Sequence, residues 1–243
     1  MRIDVALTPD TFCPKDVQGK CVAVIDVLRA CTTIVTALAN GAQKVIPVRT
    51  PEEAFKLSDR YAKKRIKLCG ERHGIRIPGF DLGNSPAEYT KGKVSGRILL
   101  YTSTNGSQTI IKACAGKQVF IAGFINVGAV IKWLAQSEAD CCVVCSGREG
   151  RFSLEDAVCA GMIVNGLKGA FHDKQVDRSN EALAAEILYQ HFRSDLEGMI
   201  KKASHGKYLT GLGMGKDLLL CISVDRYGFV PVVQNGSIVS KTG

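Results

Sequence analysis

Three segments of this chain repeat one plan: a short β-rich run, a polar loop rich in Gly, Ser and Thr, then a helical stretch. The first is the run 21–27 (Cys-Val-Ala-Val-Ile-Asp-Val), the loop from Arg29 to Thr33, and a helix reaching Asn40-Gly41. The second is 98–101, then Thr102-Ser103-Thr104-Asn105-Gly106 and a helix to Ala115-Gly116. The third is 141–145, then 146–151 and a helix over about 154–168. The first two helices are each followed by another apolar run, 44–48 and 117–122, and each ends at a Gly suited to a C-cap. Nine residues before Gly41 and Gly116 stand Thr32 and Ser107, a hydroxyl at each helix start. This spacing hints at duplication and argues more strongly for β-α-β units. The expected fold is α/β, a three-layer and mainly parallel sheet with flanking helices. Residues 1–243 read as one domain, with two similar lobes enclosing the site as a variant of that plan.

The rest of the chain is less periodic. Residues 70–86 form a long loop, a form compact domains often use for binding; at its end Ser85, Pro86 and Glu88 have the pattern of a capping box. A helix is expected over about 179–202, Gly-rich loops over 206–215, and short β runs at 218–224 and 230–233.

Composition narrows the class. Apolar residues make up 46% and charged residues 23%, ordinary globular values. No run of about 18 apolar residues suggests a membrane span, and the first residues lack a secretory pattern; the expected location is the cytoplasm. The net charge of +9 suits anionic ligands, but no aromatic-interleaved basic stripe points to nucleic acid. Homo-oligomerisation is left open. The ten cysteines lie mostly in apolar runs, where the reduced side chain behaves as a small hydrophobe. Cys142 and Cys145 have C-x-x-C spacing, yet three apart in a strand they face opposite sides.

In an open α/β sheet, ligands sit beyond the carboxyl ends of the strands. Thr32, Thr33, Thr104, Asn105, Gly106, Gly147 and Gly150 in the three polar loops are therefore candidates to cradle a phosphate, with helix capping as the plain alternative. Asp26 is the sharpest carboxylate, a charge at the end of an apolar strand. It needs either an ion pair, for which Arg29 is nearby, or a cation such as Mg²⁺, shared with Glu71, Asp81 or Glu155. As a nucleophile it lacks the second Asp of the haloacid-dehalogenase pattern, because Leu28 stands there. Ser153-Leu154-Glu155-Asp156 reads as a capping box that leaves Glu155 and Asp156 unresolved. A competing chemistry comes from Cys145 and Arg151, a C-x5-R spacing between strand and helix, as in cysteine-dependent phosphatases. Against it, Val144, Glu149 and Phe152 depart from that motif. A non-catalytic anion-binding α/β protein is the third reading.

Several stretches resemble the magnesium-dependent 2-phosphosulfolactate phosphatases of coenzyme M and sulfolactate metabolism. They are Val24 to Ala30 with Thr32-Thr33, Gly70-Glu71-Arg72, and the string Gly-Phe-Asp-Leu-Gly-Asn-Ser-Pro at 79–86. Thr104-Asn105-Gly106, Phe152 to Asp156, Cys159-Ala160-Gly161, Ser204-His205-Gly206, Asp225 and Val230-Pro231 continue the likeness, with Cys31 as a mild departure where Thr or Ser is expected. The resemblance implies hydrolysis of (2R)-2-phospho-3-sulfolactate to 3-sulfolactate and phosphate with Mg²⁺, a small anionic phosphoester as substrate. It implies a catalytic and metal set of Asp26, Glu71, Asp81 and Glu155, with Arg29, Arg72, Asn84 and Ser153 joining the loop residues in substrate binding. Arg29, Arg72, Arg148 and Arg151 in loops would together complement the substrate's phosphate, sulfonate and carboxylate groups with guanidinium forks, and His73 and His205 would move protons.

Overall fold

The computed structural model describes residues 1–137, 139–171 and 176–241. Its strands are β1 (Arg2–Ala6), β2 (Cys21–Ile25), β3 (Lys44–Pro47), β4 (Ile66–Arg72), β5 (Ile75–Arg76), β6 (Ile98–Thr102), β7 (Gln118–Ala122), β8 (Cys141–Cys145), β9 (Asp177–Arg178), β10 (Val230–Gln234) and β11 (Ser237–Lys241). Its helices are α1 (Ala30–Ala39), α2 (Pro51–Ser58), α3 (Lys91–Val94), α4 (Gly106–Ala113), α5 (Val127–Ser137), α6 (Leu154–Ala170), α7 (Asn180–Phe192), α8 (Leu196–Lys202), α9 (Ser204–Gly211) and α10 (Gly215–Cys221). The fold is α/β, with one large, mostly parallel sheet flanked by helices, in the order β5-β4-β6-β3-β11-β10-β7-β2-β8-β1-β9.

The parallel pairings fall into two blocks. One comprises β4, β6 and β3; the other runs β7, β2, β8, β1, β9. The antiparallel hairpin β10–β11 bridges them, each of its strands joining a block through a single residue pair, Val232 with Phe120 and Ile238 with Val45. Asn235-Gly236 makes its two-residue turn with both φ angles positive, the geometry that suits a tight hairpin.

Helices α1 and α4 contact each other and strands of both blocks. Their core takes Val22 and Val24 of β2, Cys142 and Val144 of β8, and Leu99 and Tyr101 of β6. The alternate residues Ala23, Ile25, Val143 and Cys145 belong to a second core with α5, α6 and α7. Strands buried on both faces explain the continuous apolar runs, and they separate Cys142 from Cys145 as the strand period requires.

The C-terminal third departs from the sequence reading. The helix expected over 179–202 is two helices, because Asp195 accepts a hydrogen bond from the Gly198 amide and starts α8 afresh. The glycine-rich stretch and the apolar run after it are α9 and α10, not loop and strand. In α10, Leu218 and Cys221 are buried while Leu219 is exposed, the helical period rather than the alternating one. Neither capping box forms. Ser85 Oγ donates to Asp217 Oδ1 at 2.6 Å ahead of a single 3-10 turn, and Ser153 Oγ caps nothing. Among the described residues no helix is long and apolar enough to cross a membrane.

Candidate active site

The packing of α1 on α4 brings the loops after β2 and β6 together. Asp26 ends β2, buried, with Oδ1 accepting from the Ala30 amide at the start of α1 at 2.9 Å. The other oxygen opens toward Gly106, where a Cβ would stand 2.6 Å from Oδ2. The first residue of α4 must therefore be glycine for the two loops to meet. Burial pushes the Asp26 carboxyl up to about 6; the Ala30 amide and His205 pull it down, while Glu71 and Glu155 push it further up. Arg29 does not balance this charge. Its guanidinium pairs with Asp217 at 2.6 Å and donates to the Gly74 carbonyl.

Glu71, at the end of β4, is fixed by the next loop. Oε1 accepts from the Thr104 amide at 2.8 Å, and Oε2 from the Gly74 amide at 2.7 Å and the Thr104 hydroxyl at 3.2 Å. Glu155, in the first turn of α6, is almost fully buried. Its Oε1 lies 3.3 Å from His205 Nδ1, close enough for charge attraction, but no donor is directed at it. The neighbouring Asp156 has a different task. It accepts from the Val27 amide at 2.9 Å and the Gly147 amide at 3.0 Å, tying the loops after β2 and β8 to α6. Burial, then Asp26 and Glu155, push its carboxyl well above the usual range.

Asp26 and Glu71 line a cleft together with Arg29, Asn84, Thr104, Asn105, Arg148, His205 and Tyr208, among others, and Glu155 lies behind His205. Helix α9 forms one wall, fastened by Tyr208 Oη donating to the His73 carbonyl at 2.9 Å. Asp81 is not part of it: half-exposed, it pairs with Lys67 at 2.8 Å and accepts from the Leu68 amide. Thr32 and Thr33 are buried in α1 and donate to the Val27 and Asn84 carbonyls. Asn84 accepts from Tyr101 Oη. Arg72 is turned to Thr102 Oγ1 and the Glu71 and Arg49 carbonyls. Asn105 Oδ1 accepts from the Glu149 amide. Gly147 and Gly150 shape the loop after β8 with positive φ, and Ser153 lies buried beneath it.

That loop is not a thiol-phosphatase cradle. The Ser146, Gly147, Arg148 and Glu149 amides are already given to Ile25 O, Asp156, Arg151 O and Asn105. Cys145 is fully buried, and desolvation holds its thiol protonated.

Among the described residues, no group of three or more His, Cys, Asp or Glu side chains forms a ready metal cage. Magnesium does not require one, since it keeps several waters and takes one or two carboxylates plus phosphate oxygens. The unpartnered Glu155 Oε1, and Asp26 Oδ2 beside a site where only hydrogen fits, are hard oxygen donors of the fitting kind.

An α/β fold with a carboxylate-lined cleft at its strand ends is an enzyme scaffold. The sequence profile of the 2-phosphosulpholactate phosphatase family matches residues 6–236. A probable 2-phosphosulfolactate phosphatase of Symbiobacterium thermophilum is 41% identical over 93% of this chain and 96% of its own. One from Thermotoga petrophila is 41% identical over 98% of each chain, and one from Clostridium acetobutylicum 37% over 98% and 100%. The chain belongs to the 2-phosphosulfolactate phosphatase family, and with it to the phosphatases.

Asp156, Asp217 and Tyr208 were not singled out from the sequence. Asp156 carried a signal, being indistinguishable in pattern from Glu155. Asp217 and Tyr208 gave none, because Tyr208 lies in the stretch expected as Gly-rich loop and Asp217 just ahead of the run expected as strand.

Proposed function

We propose that this protein hydrolyses (2R)-2-phospho-3-sulfolactate to 3-sulfolactate and inorganic phosphate, with Mg²⁺ held by Asp26, Glu71 and Glu155. The observation that carries the reading is the buried Asp26 carboxylate, which feels the charges of Glu71 and Glu155 while Arg29 is committed to Asp217 and no donor is directed at one Glu155 oxygen. Buried charge of one sign is costly unless a cation joins it, and a phosphatase has a use for one. Bound there, Mg²⁺ supplies neutralisation of phosphate charge and polarisation of the phosphoryl oxygen.

The chain's own residues do the rest. Thr104 and Gly74 lock the Glu71 carboxylate in one orientation. His205, in the cleft beside Glu155, is placed to protonate the departing alkoxide as the ester P–O bond breaks and a water oxygen bonds to phosphorus. Asp81 is left out of this set. Sulfolactate and coenzyme M metabolism is the matching context, and the cytoplasm, where ten free thiols stay reduced, the matching compartment.

The test is phosphate release from 2-phosphosulfolactate with Mg²⁺ or with EDTA, for wild type, Asp26→Asn and Cys145→Ser. The expected result is Mg²⁺-dependent turnover, abolished by EDTA and by Asp26→Asn and retained by Cys145→Ser. Turnover that survives EDTA and disappears in Cys145→Ser contradicts the proposal.

A further inference from the structure

Of the four arginines that the sequence singles out, Arg29, Arg72, Arg148 and Arg151, three are accounted for. Arg29 spends its guanidinium on Asp217, the Gly74 carbonyl and Met214 Sδ. Arg72 binds Thr102 Oγ1 and two carbonyls, and does not line the cleft. Arg151 is exposed and likewise outside it. Arg148 differs from all three. It is half-buried, lines the cleft, and has no carboxylate partner for its side chain among the described residues. Its guanidinium carbon lies 4.2 Å from the centre of the Tyr208 ring.

That stacking fixes the group without using it up. A guanidinium on an aromatic face keeps its in-plane N–H edge free to form a two-pronged bond to a carboxylate or sulfonate. The platform is itself anchored, since Tyr208 Oη bonds the His73 carbonyl and Gly74 packs against α9 so closely that a Cβ there would come 3.0 Å from Leu212 and 3.6 Å from the Tyr208 ring. A half-buried cation without an anion, held in place across from a carboxylate floor, is half of a binding pair.

We infer that Arg148, stacked on Tyr208, is the specificity-determining residue that grips the non-ester anionic end of the substrate, its carboxylate or sulfonate. This rests on the phosphatase reading above and deepens it: the carboxylate floor and its cation take the phosphoryl group, and Arg148 takes the other end. No covalent step is assigned to it.

The experiment compares KM and kcat on three phosphoesters: 2-phosphosulfolactate, 2-phospholactate, which lacks the sulfonate, and the phosphate ester of 2-hydroxyethanesulfonate, which lacks the carboxylate. Arg148→Ala is expected to raise KM for 2-phosphosulfolactate about ten- to hundredfold, with a smaller change in kcat. The rise shrinks on whichever shortened ester lacks the group that Arg148 holds, and this tells sulfonate from carboxylate. Arg148→Lys keeps the charge without the fork and should fall between. Tyr208→Leu removes the platform and should give the same pattern in weaker form. Equal rises on all three esters overturn the assignment and leave the phosphatase reading standing. Absence of wild-type turnover on all three overturns both.

Discussion

The floor and the roof of the cleft are built on opposite terms. On the floor, Asp26, Glu155 and Asp156 sit buried among one another, and the floor's charge is unbalanced. On the roof, α9 presents Tyr208 and His205 from a half-buried helix, Tyr208 bonded to the His73 carbonyl of the facing loop and His205 3.3 Å from Glu155 of the floor. The floor is destabilising in isolation and is held by what surrounds it. Val22, Val24 and Ile25 of β2 are fully buried, each contributing about 1.5–3 kcal/mol. Their sum, roughly 5–9 kcal/mol as an upper estimate, exceeds the cost of one misplaced carboxylate. A strand apolar on both faces is therefore what allows an acid to be held where water would not leave it unpaired.

The sharpest way to break this contrast is Asp26→Asn. Activity is expected to fall by about a thousandfold, while the metal-free protein becomes more stable at pH 7. Folding raises the Asp26 carboxyl from 3.8 to about 6, so the folded state prefers it protonated. The contribution is complete below about pH 4 and is lost as pH rises through 6. That loss is about 3 kcal/mol. Denaturant unfolding of metal-free wild type between pH 4 and 7.5 should show the decline, and Asp26→Asn should remove its own share and leave the share of Asp156, whose carboxyl burial also raises.

Asp156→Ala should move the other way. It leaves the Val27 and Gly147 amides buried without an acceptor, which costs about 3 kcal/mol, and its loss of activity should follow the loss of fold on heating. If Asp156→Ala instead keeps its melting temperature, the division between the two adjacent acids fails. At the small end, Asp81→Asn removes a half-exposed pair with Lys67. Stability should change by less than about 1 kcal/mol and turnover by less than about twofold; a large loss of turnover would return Asp81 to the site.

The sheet was legible because its strands are buried on both faces, so Cys-Val-Ala-Val-Ile and Cys-Cys-Val-Val-Cys admit few other readings. Asp26 was legible for the same reason, as a charge ending an apolar run. What the sequence could not show is which loops meet. Glu71 is bound by Thr104, 33 residues away, and Glu155 faces His205 from another helix; these approaches depend on how α1 and α4 cross between the blocks. The capping reading of Ser153 to Asp156 failed because the local pattern is the same whether an acid caps its own helix or ties down two distant amides. The Asn-Gly pair at 235–236 is a hairpin signal in the sequence itself, and it turns β10 into β11. Helices α9 and α10 were hidden by glycines and by an apolar run too short to show its period.

The most direct measurement is the thermal stability of wild type and Asp26→Asn at pH 7.5, each with and without Mg²⁺. The account predicts that Mg²⁺ raises the melting temperature of wild type and leaves the already more stable Asp26→Asn unmoved. A wild type indifferent to Mg²⁺, or an Asp26→Asn variant no more stable than metal-free wild type, would contradict it.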